Sequence, residues 1–297
     1  MKTRSAFLPE WLALAAIAVI DTVWAQAIGF HLLMGRQDVL VITGAGALMF
    51  IAWALNQRRI ALISEYFCLS VTGTLVFGVM SYLAMASTNG QLWDGRFLAA
   101  DRALGFDWLT LYRWIAAHSG LANVLQLLYA SVIVQGLIAC LWLGVRGQVA
   151  DMRNLFRLIS LSSLFTCIAA VFFPALGPYK VFAIAGRGAF LTDMQHLLSG
   201  RDLTFALSQL TGVISFPSFH TVMALAYAWS FRRAGAFGKA MVVLNIAMLF
   251  SIPFFGGHYL VDMFAGAATW LVALLMVTLL QRPAPRVAPL PVLAAAE

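Results

Sequence analysis

Two short stretches near the C-terminal end hold the residues best suited to chemistry: Phe216-Pro217-Ser218-Phe219-His220 and Gly256-Gly257-His258-Tyr259-Leu260-Val261-Asp262. His258 and Asp262 are spaced i, i+4, which predicts one helix face about a turn apart. A carboxylate so placed takes a proton from one imidazole nitrogen and fixes the tautomer, leaving the other nitrogen free as nucleophile or base. Gly257 lets the backbone approach a ligand closely, and the free N–H groups of the helix start that follows favour an anion. In the first stretch, Pro217 and Ser218 suit a helix start. Ser218 can bond a phosphoryl oxygen and His220 can donate a proton to a leaving oxygen. A single histidine near a membrane interface is usually just a satisfied polar group. Two, with serine and aspartate partners and both at helix starts, point to a shared phosphoryl-transfer site.

The rest of the chain reads as the scaffold for these stretches. Of 297 residues, 62% are hydrophobic and 10% charged, with a mean hydropathy of +0.88. Soluble domains average about 25% charged residues, so lipid must solvate most of this chain. The fold class expected is all-α, a polytopic helical membrane bundle. At about 20 apolar residues per crossing, eight spans are expected, near 11–33, 38–55, 62–86, 121–143, 155–175, 215–231, 238–255 and 258–280. Residues 1–60 read as two N-terminal spans, 61–281 as a catalytic core and 282–297 as a flexible Pro- and Ala-rich tail. Residues 87–120 mix Trp, Phe, Leu, Asp and Arg and suit interfacial helices. Both a packed cap and a substrate gate fit them. Residues 176–214 form a second long connection.

The net charge of +7 comes from basic residues scattered between apolar runs, which excludes the stripe a nucleic-acid binder needs. Membrane topology accounts for it instead. With the N-terminus inside, Lys2, Arg4, Arg58, Arg59, Arg146, Arg153, Arg157, Arg232, Arg233, Lys239, Arg282 and Arg286 fall on the cytoplasmic side. Arg36, Arg96, Arg102, Arg113, Lys180, Arg187 and Arg201 fall on the other. The bias follows the positive-inside rule. It places both termini in the cytoplasm of a cell (inner) membrane and the two stretches on the extracytoplasmic face. Cys68, Cys140 and Cys167 lie in apolar runs and read as buried thiols with neither disulfide nor metal spacing. Asp21 and Glu65 lie within spans, where charge is costly. An ion pathway and a structural polar contact are both readings of them, with Arg58 and Arg59 as interfacial partners for Glu65.

Phe216-Pro217-Ser218-Phe219-His220 and Gly257-His258-Tyr259-Leu260-Val261-Asp262 resemble the second and third signature motifs of the type 2 phosphatidic acid phosphatase superfamily, over roughly the last six spans. Ser251, His258 and Asp262 match the Ser-Arg-x5-His-x3-Asp spacing of the third. The resemblance implies a six-helix core and a metal-independent, cofactor-free mechanism. The match of His258 attacks phosphorus to give a phosphohistidine, oriented by the match of Asp262. The match of His220 protonates the leaving group, and Ser218 holds phosphate. Two departures stand out: Ile252 replaces the motif arginine, and the first motif, Lys-x6-Arg-Pro, survives only as Lys180-x6-Arg187 followed by Gly188. Arg201 and His196 are alternative phosphate contacts. The departures, with Pro174-Ala175-Leu176-Gly177-Pro178-Tyr179, resemble the branch of inositol-phosphorylceramide synthase and related inositol phosphotransferases. The implied substrate is a phospholipid or lipid phosphate, with water or a lipid alcohol as acceptor. A non-catalytic transporter or flippase on the same bundle is the alternative.

Overall fold

The computed structural model describes residues 5–55, 57–186 and 189–280. The expected tail 282–297 and Arg187 lie outside them. The described chain is nearly all helical: α1 (Leu8–Ile28), α2 (Arg36–Ala54), α3 (Arg58–Ala86), α4 (Asp94–Ala103), α5 (Trp108–Ala117), α6 (Ser119–Val145), α7 (Val149–Phe172), α8 (Pro178–Val181), α9 (Ala189–Ser199), α10 (Phe219–Phe231), α11 (Gly235–Phe255) and α12 (Leu260–Leu280). Among these, α1, α2, α3, α6, α7, α11 and α12 are long and apolar enough to cross a membrane. The protein is an integral membrane protein built as a polytopic helical bundle.

The sixth expected span, 215–231, takes a different form. Its helix α10 has 13 residues and starts only after Ser218. The cause is local. Pro217 disfavours helical backbone in the residue before it, and Ser218 opens the helix as N-cap, its Oγ accepting the Thr221 N–H at 3.4 Å. Short as it is, α10 is central, packing against α6, α7, α11 and α12. A second departure from an all-helical chain is a parallel pair of three-residue strands, β1 (His31–Leu33) and β2 (Thr204–Ala206), with His31 opposite Thr204. It ties the α1–α2 turn to the second long connection.

The main core joins α1, α3, α6, α7, α10, α11 and α12 through residues such as Phe7, Leu69, Met152, Leu158, Ala226 and Phe231. Buried Glu10 fastens α1 to α7: its Oε1 lies 3.2 Å from Arg153 Nε and 2.6 Å from Arg157 Nη2. Glu65 does not pair with Arg58 or Arg59; its carboxylate accepts from Ser5 Oγ and, at 3.2 Å, from the Ala6 N–H. Asp21 is buried, and neither of its carboxylate oxygens has a hydrogen-bond partner among the described residues. The three cysteines are free and buried.

Segment 87–120 folds as α4 and α5 and packs on the end of the bundle that carries the two stretches. Trp108 of α5 is 1% exposed, donates from Nε1 to Pro253 O at 3.0 Å, and stacks on Tyr112 and Phe182. Phe97 of α4 stacks on Phe216 with centroids 4.6 Å apart. Both helices of this segment are thus packed onto the bundle.

Candidate active site

Helix α12 begins at Leu260, so His258 stands in the turn before it rather than on its face. The i, i+4 pair is nevertheless close: His258 Nδ1 is 3.4 Å from Asp262 Oδ2. Capping geometry, not a shared helix face, brings them together. Asp262, in the first turn of α12, reaches back to accept the Tyr259 N–H at 2.9 Å, as the acidic member of a capping box does. This turns its carboxylate toward the preceding residue, His258. The same Oδ2 accepts from Ser215 Oγ at 3.2 Å. Asp262 is fully buried and His258 4% exposed.

His258 Nδ1 also lies 2.9 Å from Ser215 O. A carbonyl oxygen only accepts, so Nδ1 carries the proton and Nε2 is the free lone-pair nitrogen. Ser215 fixes this tautomer with its carbonyl and steadies the orienting carboxylate with its hydroxyl. The non-helical backbone ahead of Ser218 makes both contacts possible, and the Ser218 N–H donates to Asp262 O at 2.9 Å. Gly266 of α12 lies against this junction, where a Cβ would collide with Ser218 O.

His220, in the first turn of α10, brings its ring centroid to 6.5 Å from that of His258. Tyr129 of α6 lies parallel to it, centroids 4.1 Å apart, with its hydroxyl 3.2 Å from His220 Nδ1. Engaging Nδ1 leaves Nε2 of His220 for a ligand. The two imidazoles therefore stand at one place, each with Nδ1 engaged by a described neighbour.

Gly257 adopts φ +64°, and Gly177 adopts φ +84°; a Cβ on Gly177 would collide with the Gly257 carbonyl oxygen, and one on Gly257 with the Tyr179 ring. Both glycines are needed to bring the 174–179 loop onto the histidine turn. Tyr179 then donates to Phe254 O. Lys180, the next residue in α8, is exposed on this loop. His196 and Arg201 are exposed at the end of α9 and just beyond. Ser199 Oγ donates to His196 O at 2.8 Å and accepts the Arg201 N–H at 3.2 Å, and neither residue has a described contact with the histidine pair. Ser251 donates to Met248 O within α11, and Ile252, standing where the motif arginine would, is fully buried. The structure thus brings together His258, Asp262, His220, Ser218 and Gly257, with Lys180 on the adjoining loop. Among the described residues, no group of three or more His, Cys, Asp or Glu is placed to hold a metal ion.

The free N–H groups expected at the start of α12 are already occupied. Leu260 N donates to Asp101 Oδ2 at 2.8 Å and Val261 N to Asp101 Oδ1 at 3.0 Å. Asp94 accepts from Leu176 N, from Gly177 N at 2.8 Å, and from Tyr259 OH at 3.0 Å. Burial raises the Asp101 carboxyl above its ordinary value, and the two backbone donors pull it back. Sequence reading misses Tyr129, Ser215, Asp94 and Asp101. Only the last two leave a trace: Asp94, Phe97 and Asp101, spaced three and four apart, form one buried stripe on α4.

Residues 95–276, more than half of the chain, match the family model described as PAP2 superfamily. The chain belongs to the PAP2 superfamily. Both histidine stretches fall inside the match, as do α5–α11 and most of α4 and α12. Members of the superfamily are generally phosphatases, which supports a phosphoric ester hydrolase with a lipid phosphate as substrate in the membrane. Among curated proteins and solved structures, no match was found.

Proposed function

We propose that this PAP2-superfamily protein cleaves a phosphoester of a phospholipid or lipid phosphate through a phosphohistidine on His258, and passes the group to water or to a lipid alcohol. The observation that carries the reading is the state of His258. Its Nδ1 is held by Ser215 O and Asp262, its Nε2 is free, and a second imidazole stands 6.5 Å away. In the first step Nε2 attacks phosphorus, the P–O ester bond breaks, and His220 gives the leaving oxygen its proton. Positive charge developing on the His258 ring is stabilised by the buried Asp262 carboxylate. In the second, neutral His220 takes the proton of the incoming water or alcohol, whose oxygen attacks phosphorus as the P–N bond breaks. Ser218 and Gly257 contact the phosphoryl oxygens and Lys180 supplies a positive charge from the adjoining loop. Arg187, Arg201 and His196 are further donors, to be ranked by Gln substitutions. No metal or other cofactor enters these steps.

Transfer to an alcohol, as in the inositol phosphotransferases, competes with hydrolysis because a phosphohistidine reacts with whichever oxygen reaches it. Buried Ile252 in place of the motif arginine marks a departure from the plain phosphatase pattern. The transporter reading loses one support, since Glu65 is occupied in holding Ser5 and Ala6.

The test is turnover of phosphatidic acid by purified protein in detergent without added metal, followed by trapping of a labelled phosphoenzyme. His258→Ala is expected to abolish both, by on the order of 10^4-fold or more in kcat. Unchanged turnover in His258→Ala would falsify the nucleophile assignment. Offering diacylglycerol, ceramide or an inositol phospholipid and separating the products divides hydrolysis from transfer.

A further inference from the structure

We propose that Asp94 and Asp101 of α4 are positioning residues for the reaction at His258, so that this interfacial helix is a working part of the active site. The proposal rests on the phosphohistidine reading above. Asp94 and Asp101 lie seven residues apart, two turns of one helix face, with Phe97 between them. Asp94 is 7% exposed and Asp101 is fully buried. Their carboxylates accept every hydrogen bond described for them from the two loops that frame the histidine. Asp101 takes the N–H groups of Leu260 and Val261, the first two residues of α12. Asp94 takes those of Leu176 and Gly177 and the hydroxyl of Tyr259.

Tyr259 cannot cap α12 as Ser or Asp would, because its side chain is too long to fold back on the helix's first amides. Instead it points to Asp94, and Asp101 supplies the missing acceptor from another helix. A buried carboxylate on two N–H groups at a helix start makes charge-assisted bonds and faces the positive end of the helix dipole. The consequence reaches the reacting atoms through two short links. Asp262 sits one residue past Val261, in the turn that Asp101 holds, and His258 sits one residue before Tyr259. Gly177, gripped by Asp94, is the residue pressed against the Gly257 carbonyl. The carboxylate–imidazole pair is therefore assembled on a turn whose ends are both anchored to α4.

The same contacts decide where phosphate can bind. The Tyr259, Leu260 and Val261 amides are spent on Asp262 and Asp101. The start of α12 thus carries its anion built in, and substrate phosphate is left to Gly257, the α10 start and the α8 loop.

Full-length protein in detergent tests this by two independent measurements, phosphatidic acid turnover and amide exchange. For Asp101→Ala, exchange at Leu260 and Val261 should accelerate and kcat should fall about 10- to 100-fold, with KM within about twofold, since positioning errors near 1 Å reach that size. Added formate, a small carboxylate that can refill the site, should restore part of kcat. Tyr259→Phe, which removes one hydroxyl and keeps the ring, should lower kcat about fivefold and tests the Asp94 arm even if Asp101→Ala fails to fold. Faster exchange with unchanged kcat would make α4 a structural cap only and overturn the proposal. A rise in KM alone would overturn it as well, by placing α4 on the substrate. Absence of turnover in the parent protein would instead sink the phosphohistidine reading, leaving the exchange result to report separately on the clamp.

Discussion

Asp262 stands beside His258, as their spacing suggests, but for a different local reason. The i, i+4 rule assumes a helix under both residues, whereas His258 precedes the helix and Asp262 reaches it while capping Tyr259. The imidazole and carboxylate are legible as a pair from residue type and spacing; Ser215, whose hydroxyl donates to Asp262 and whose carbonyl meets His258, is not, because nothing local in the sequence marks it as their partner. Asp262→Asn should lower kcat by about 10^2- to 10^4-fold and leave KM nearly unchanged, because the amide presents a donor where an acceptor is needed. An effect confined to KM in steady-state kinetics would contradict the orienting role. Tyr129 was equally invisible, being distant in sequence and inside an apolar run. It both stacks on His220 and engages its Nδ1. Tyr129→Phe removes one hydrogen bond, worth roughly 1 kcal/mol, so about a fivefold fall in kcat is expected. Tyr129→Leu, losing the stack as well, should fall further. Equal activity in all three proteins would show that the tyrosine merely fills space.

Helices were easier to foresee than their couplings. Hydropathy alone marks the long apolar runs, since a crossing helix satisfies its own backbone and needs no partner to be recognised. It says nothing of which helices touch. The outward helices α4 and α5 mix charged and aromatic residues in a way that fits a lipid interface as well as a protein one. Only the buried pairing of carboxylates with amides some 80 to 160 positions away separates the two. The join between α1 and α7 is similar: Glu10, Arg153 and Arg157 are ordinary interfacial charges until the fold brings them together. Glu10 has a side chain 2% accessible, while the two arginines keep about a third of their surface. Breaking a fully buried pair costs roughly 3–5 kcal/mol, and partial exposure reduces this to about 1–3 kcal/mol. Glu10→Gln should lower the melting temperature in detergent while sparing kcat, because the join is at the end of the bundle remote from His258. Loss of activity at full stability would mean that α1 acts on the site directly.

Across the bundle, α3, α7 and α11 end where α6, α10 and α12 begin, and that end carries both histidines. The remaining end carries Arg232 and Arg233 after α10 and the short α6–α7 turn at Arg146. The count of basic residues needs only the spans, which is why it can be made before any fold is known. What it could not foresee is the shortness of α10. Thirteen residues make about 20 Å of helix against about 30 Å of hydrocarbon, so the start of α10 lies about 10 Å inside the far boundary if its other end is at the near one. Residues 213–218 cover the difference as non-helical chain, an arrangement possible in a membrane only because it is enclosed by protein. The orientation then has a direct test. Single cysteines are placed at exposed Asn89, beside the histidine end, and at exposed Gln148, in the α6–α7 turn, after Cys68, Cys140 and Cys167 are replaced by serine. In intact cells a membrane-impermeant maleimide should label Asn89→Cys and leave Gln148→Cys unlabelled until the membrane is opened. The reverse pattern would turn the protein over and put His220 and His258 at the cytoplasmic face.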